Sequence, residues 1–222
     1  MLLLYITRLI DVFPLFLKGL WMTIAVSFLS LITATILGFL AGICRSSRNM
    51  PLRRAIGVYV NLIRGTPFLV QVFTIFFILP EFGIHLEPFP AAIIAMTIMG
   101  SAFICEIVAA GIEAVPKGQR EAAISTGLSR NQQIRYVILP QAMRTILPPL
   151  VGQYVLLVKD SSIVSVIGVM DLTRVGWLTV QRIPEGMLVF GLVGIMYFAV
   201  CYPLIRLATR LEKRMSVEEY SL

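Results

Sequence analysis

Residues 19–43 read GLWMTIAVSFLSLITATILGFLAGI, twenty-five residues without a charge. At ~1.5 Å rise per residue the run makes a helix of about 37 Å, enough to cross a bilayer with some tilt. This run predicts a membrane-spanning helix and sets the fold class. The whole chain agrees with it: of 222 residues 58% are hydrophobic and 14% charged, where soluble domains carry about 25% charged residues. A cleavable secretory signal does not fit the N-terminus, because the apolar run is too long and more positive charge follows it than precedes it.

Working outward, four further spans are predicted. The second covers residues 55–79 and is interrupted by Arg64, Gly65 and Pro67, which break the helix and let the arginine reach the interface. The third, 91–112, carries one charge, Glu106. The fourth begins at Ile146, with Pro148 and Pro149 at its start and Lys159 and Asp160 dividing it from an irregular outer segment. The fifth, 186–205, is uncharged. The expectation is an all-α integral membrane protein of about five transmembrane helices.

Basic residues orient it. Arg45, Arg48, Arg53 and Arg54 follow the first span; Lys117, Arg120, Arg130, Arg135 and Arg144 lie in the long polar segment; Arg206, Arg210, Lys213 and Arg214 follow the last span. Residues 80–90 hold none. The positive-inside rule then predicts the N-terminus outside and the C-terminus cytoplasmic. Residues 1–18, with Arg8, Asp11 and Lys18 among apolar neighbours, are expected to form an outer interfacial amphipathic helix. A membrane domain over 19–207, with a polar loop at 113–145, and a cytoplasmic tail over 208–222 complete the division.

The same inventory excludes several functions. A net charge of +7 in so apolar a chain belongs to cytoplasmic loops rather than to a nucleic-acid surface. Cys44, Cys105 and Cys201 are irregularly spaced and read as small apolar fillers. His85 reads as a solvated loop residue. No metal cluster and no grouping of nucleophile and base is present, so no catalytic residue is expected.

The polar loop contains EAAISTGLSRNQQIRYVILPQAMRTILPP, beginning at Glu121. Pro116 to Gly118 make a turn, and 119–126 form a short Ala-rich helix. Gly127 is free to adopt φ > 0 and end it. Ser129 with Gln132 has the form of a capping box, so a second helix starts there and is expected to stop or kink near Pro140. Small side chains at Ala122 and Ala123 permit close approach of another surface, and Glu121 near a helix N-terminus is favoured by the dipole. Such a pair of helices suits docking into a partner's groove, and equally suits a solvated connector.

The order Glu121, Ala122, Ala123, then Gly127, then Leu139 and Pro140 resembles the signature loop of ABC importer permeases, with Val137 where Ile is usual. IRGTP with Gln71, VPKGQREAA, LPQAMRTILPPL and LVKDSS extend the likeness towards the polar amino acid branch. One departure is Ala109, where an Arg commonly stands three residues after the membrane Glu; any role of that Arg does not carry over. The resemblance implies that the two short helices are coupling helices docking on an ATPase dimer, with a second permease subunit and an extracytoplasmic amino-acid-binding protein completing an importer in a bacterial cytoplasmic membrane. ATP and magnesium would be bound by the ATPase: this chain has no phosphate-binding Gly-Lys loop and is expected to bind no cofactor.

An ionisable residue inside a span is a functional candidate by default, since it costs about 2.5–3.5 kcal/mol to insert. Glu106 is the first, either a structural acid paired with Arg64 or Lys159 or a ligand for a cationic group of an amino acid; Ser101 borders the same region. Asp160 is the second, either neutralised by Lys159 or, as the family position of the motif implies, lining the substrate site with Ser161. Gln71 is the last candidate, with an interhelical hydrogen bond as its alternative role. Against the importer stand an ion-coupled secondary transporter or channel using Glu106 and Asp160, and a lipid-modifying membrane enzyme, which the missing catalytic grouping disfavours.

Overall fold

The computed structural model describes residues 2–47 and 49–219, so Arg48 of the first connector lies outside the described residues. Among these the fold is helical with no strand. The elements are α1 (Leu2–Arg45), α2 (Met50–Arg64), α3 (Phe68–Phe73), α4 (Pro88–Glu113), α5 (Lys117–Ser125), α6 (Arg130–Gln132), α7 (Leu139–Asp160), α8 (Leu172–Val180) and α9 (Gly186–Glu219).

Four stretches are long and apolar enough to cross a membrane: Thr7–Arg45, Pro88–Glu113, Arg130–Ile167 and Gly186–Lys213. A fifth span exists if the broken pair Met50–Arg64 and Phe68–Phe82 is counted as one. The break falls at the expected Gly65–Pro67, where Pro67 takes an extended ψ of 137° and caps α3. Beyond α3 the backbone loosens into a π-helical turn, Thr74–Ile78, and a 3₁₀ turn, Leu79–Phe82, around Pro80.

Three expectations need correction. No helix boundary occurs at residue 18, because α1 runs unbroken from Leu2 to Arg45 with Pro14 inside it. Of the stop or kink expected near Pro140, the second loop helix shows no stop, only a local departure from α-helical geometry. Residues 133–138 form a π-helical stretch just before that proline, an i→i+5 pattern that tolerates its missing N–H, and the side-chain Nε2 of Gln141 donates to the Val137 carbonyl at 2.9 Å. The loop boundary expected at 145 therefore disappears into one helical run, Arg130–Ile167, which also carries Pro148 and Pro149. The segment expected to be irregular after Asp160 instead holds a 3₁₀ helix, Ser161–Ile167, and α8.

The chain divides into two compact units. The first comprises residues 1–32, 66–98 and 155–203, the second 33–65, 99–154 and 204–222. In the first, Phe16, Leu172, Val175, Val189, Val193 and Met196 form a buried cluster joining α1, α8 and α9. In the second, the C-terminal part of α1 packs on α4 through Gly38 and Gly42. A Cβ at Gly38 would stand 2.6 Å from the Cβ of Ile104, and one at Gly42 2.6 Å from that of Val108. The backbones approach this closely because these positions carry no side chain, as membrane helix pairs without a hydrophobic driving force require. Across α2 and α4, Val60 meets Ala102 and the buried Cys105, which acts as the small apolar filler expected.

Candidate functional site

The loop around α5 is built by local signals. Gly127 has φ +75°, its N–H reaches the Ile124 carbonyl at 2.9 Å, and the Leu128 N–H reaches that of Ala123 at 3.3 Å. This Schellman closure ends α5. The Ser129 N–H then donates to Gln132 Oε1 at 2.8 Å, the predicted capping box.

The short helix is tied down at two places. Arg120 Nη2 donates to the Ile112 carbonyl at 2.7 Å, covering an orphan acceptor at the end of α4. Gln141 Nε2 donates to Gln119 Oε1 at 3.1 Å, linking α5 to α7. Ala123 turns inward and is buried, while Glu121, Ala122 and Ile124 are exposed. Leu139 is half-buried and Pro140 exposed at the start of α7. Of the six loop residues, Glu121, Ala122, Gly127 and Pro140 are thus exposed, on a loop fastened to two long helices.

The expected substrate residues fall in both units. Ser101 and Glu106 belong to the second unit; Gln71, Asp160 and Ser161 belong to the first. Glu106 Oε2 is ion-paired with Arg45 and, at 3.1 Å, with Arg64, whose guanidinium also lies 5.5 Å above the Phe103 ring. The position three residues on is Ala109, and the guanidinium groups come from two other helices instead. Ser101 is buried and hydrogen-bonded to the Tyr59 hydroxyl at 2.8 Å. Gln71 donates to the carbonyl and hydroxyl of Thr66 at 3.1 and 3.0 Å, a local brace across the helix break. Ser161 is buried and donates to the Val158 carbonyl at 2.7 Å. Asp160 is half-buried at the junction of α7 with the 3₁₀ turn, and its carboxylate makes no ion pair among the described residues, Lys159 included.

One acid was not anticipated. Asp171, fully buried, caps α8 by accepting from the Arg174 and Thr173 N–H groups at 2.9 and 3.3 Å and from the Tyr197 hydroxyl at 3.3 Å. Thr23 Oγ1 accepts the Leu172 N–H at 3.1 Å beside it. Burial pushes its carboxyl up to about 6, the hydrogen bonds opposing that shift only in part. The sequence signal was present, an Asp directly before an apolar run with helical content.

Comparison with known proteins fits this geometry. Residues 34–217 match the family described as binding-protein-dependent transport system inner membrane component. A probable glutamine ABC transporter permease of Bacillus subtilis (strain 168) is 40% identical over 201 residues, covering 89% of this chain and 92% of that one. The L-cystine transport system permease of the same organism is 36% identical, covering 91% and 87%. Among solved structures, an amino acid ABC transporter with histidines superposes with a TM-score of 0.86 at 35% identity over 94% of this chain and 97% of that one. An inward-facing methionine ABC transporter, at 23% identity over 92% and 98% and a TM-score of 0.78, shares the fold.

Proposed function

The chain belongs to the family of binding-protein-dependent transport inner-membrane components, and from that premise we propose that it moves polar amino acids by alternating access, driven through α5 by a dimeric ATPase. It is a multi-pass bacterial membrane protein and a permease subunit of an amino acid ABC transporter. It is a transport component rather than an enzyme, and the family works with ATPase and binding-protein partners. ATP and magnesium reside on the ATPase, a second permease copy or relative completes the pathway, and the termini take the orientation that the basic residues favour.

One observation carries the coupling role. α5 exposes Glu121, Ala122 and Ile124 while Arg120 and Gln119 tie it to α4 and α7. A push on its outer face reaches two membrane helices at once, which is what a lever for rigid-body rocking needs. In the pathway itself, Asp160 is the candidate whose carboxylate is not engaged in an ion pair, and it receives the substrate's ammonium group. Glu106 and Ser101 hold helices of the second unit together, and Gln71 and Ser161 brace their own segments of the first, through the bonds described above.

The test is Glu121→Lys in the reconstituted complex. ATP hydrolysis should persist while amino acid uptake falls to background; normal uptake would remove the coupling role from this surface. An ion-coupled transporter finds no specific support, since Glu106 is committed to two arginines.

A further inference from the structure

A cavity of about 310 Å³ opens in the second unit between the end of α1, the start of α2 and the last turns of α4. It is lined by Arg45, Arg53, Arg54, Gly57, Ala109 and Glu113, with Met50 at its edge and Glu106 in its wall. The geometry points to a binding site for the phosphate headgroup of an anionic phospholipid.

Charge is the first reason. Glu106 is shared between Arg45 and Arg64, so one carboxylate faces two guanidinium groups. Arg53 approaches Glu113 only to 3.9 Å, with both side chains more than half exposed, a geometry that contributes little. Arg54 makes no ion pair among the described residues. The lining carries three arginines against two acids, and Glu106 is shared with Arg64 outside the lining, so at least one positive charge around the cavity is left over. Arg53 and Arg54 also stand in the first turns of α2, where the helix dipole adds to their positive potential. A phosphodiester supplies the missing anion, and guanidinium groups match its oxygens in a bidentate fork.

Size and surroundings select a lipid over a free anion. The volume lies at the small end of ligand clefts, sufficient for a headgroup and too small for acyl chains. Those chains have a place outside it, because α2 exposes Met50, Leu52, Val58 and Leu62. Basic pockets beside membrane helices have this character, a charged cradle continuous with apolar surface. Under the orientation proposed above, the headgroup belongs to the cytoplasmic leaflet.

The full-length chain, purified and delipidated in detergent, is titrated with phosphatidylglycerol or phosphatidylcholine and adducts are counted by native mass spectrometry. Phosphatidylglycerol should bind in preference. Arg53→Gln/Arg54→Gln should weaken it about 30-fold, whereas Arg206→Gln/Arg210→Gln, which removes the same charge at the end of α9, should change it less than about threefold. Gly57→Trp adds bulk where a Cβ meets nothing within 4 Å; it should weaken binding tenfold or more without altering charge, and it carries the test if the double arginine variant misfolds. Equal losses from the two arginine pairs, or unchanged binding in Gly57→Trp, would overturn the site. Displacement of the lipid by inorganic phosphate at equal concentration, or retention of a polypeptide rather than lipid on these arginines, would overturn the lipid assignment.

Discussion

The surroundings of Glu106 and of Asp171 stabilise an acid in opposite ways. Around Glu106 the second unit supplies two guanidinium groups, from Arg45 and Arg64, and leaves the side chain about one-third exposed. Around Asp171 the first unit supplies only hydrogen bonds, from two backbone N–H groups and Tyr197, with no exposure at all. The first has counter-charge and some water beside it; burial without counter-charge raises the pKa of the second. The lesson is that charge within an apolar chain marks two different devices here, a clip between three helices and a cap on one short helix.

The largest expected consequence separates them by pH. A carboxyl held at about 6 when folded and near 3.8 when unfolded binds its proton more tightly in the folded state, so its contribution is greatest below pH 4 and is lost as pH rises to about 6. The swing is about 3 kcal/mol. Thermal unfolding in detergent should show Asp171→Asn flattening the profile between pH 4 and 6, and an unchanged slope would mean that Asp171 is not held at this pKa. Glu106→Ala comes next. It strands two arginines and should destabilise by about 2 kcal/mol, between the exposed and buried limits for broken ion pairs, read as a lower midpoint at pH 7.

Smaller changes sharpen the contrast. Thr23→Val removes the acceptor for the buried Leu172 N–H and should cost about 1 kcal/mol, loosening α8 as seen by faster amide exchange at its first turn. Arg64→Gln alone should cost about 0.5 kcal/mol or less, because Arg45 still faces Glu106; only Arg45→Gln/Arg64→Gln should approach the loss of the acid itself. A single-variant loss as large as the double would show that the two arginines do not back each other up.

Much of this was legible in sequence because its causes are local. The apolar runs, the break at Gly65–Pro67, the turn at Gly127 and the Ser129–Gln132 box each depend on neighbours within a few residues, and each is present. The passage of α7 through Pro140 was not legible, since a π-helical stretch that relieves a proline has no composition of its own. Nor was the second partner of Glu106, because Arg45 sits 61 residues away at a span end. At Asp171 the local cap signal was present, but its burial was not legible: the Tyr197 hydroxyl it accepts from lies 26 residues on, and Thr23, which accepts the neighbouring Leu172 N–H, lies 149 residues away.

The central claim is that this chain passes amino acids only when an ATPase acts on it. Proteoliposomes holding the chain with its ATPase and binding protein should accumulate a labelled polar amino acid only when ATP is on the ATPase side, and omitting the ATPase should abolish uptake. Accumulation by the chain alone under a proton or sodium gradient would contradict the account.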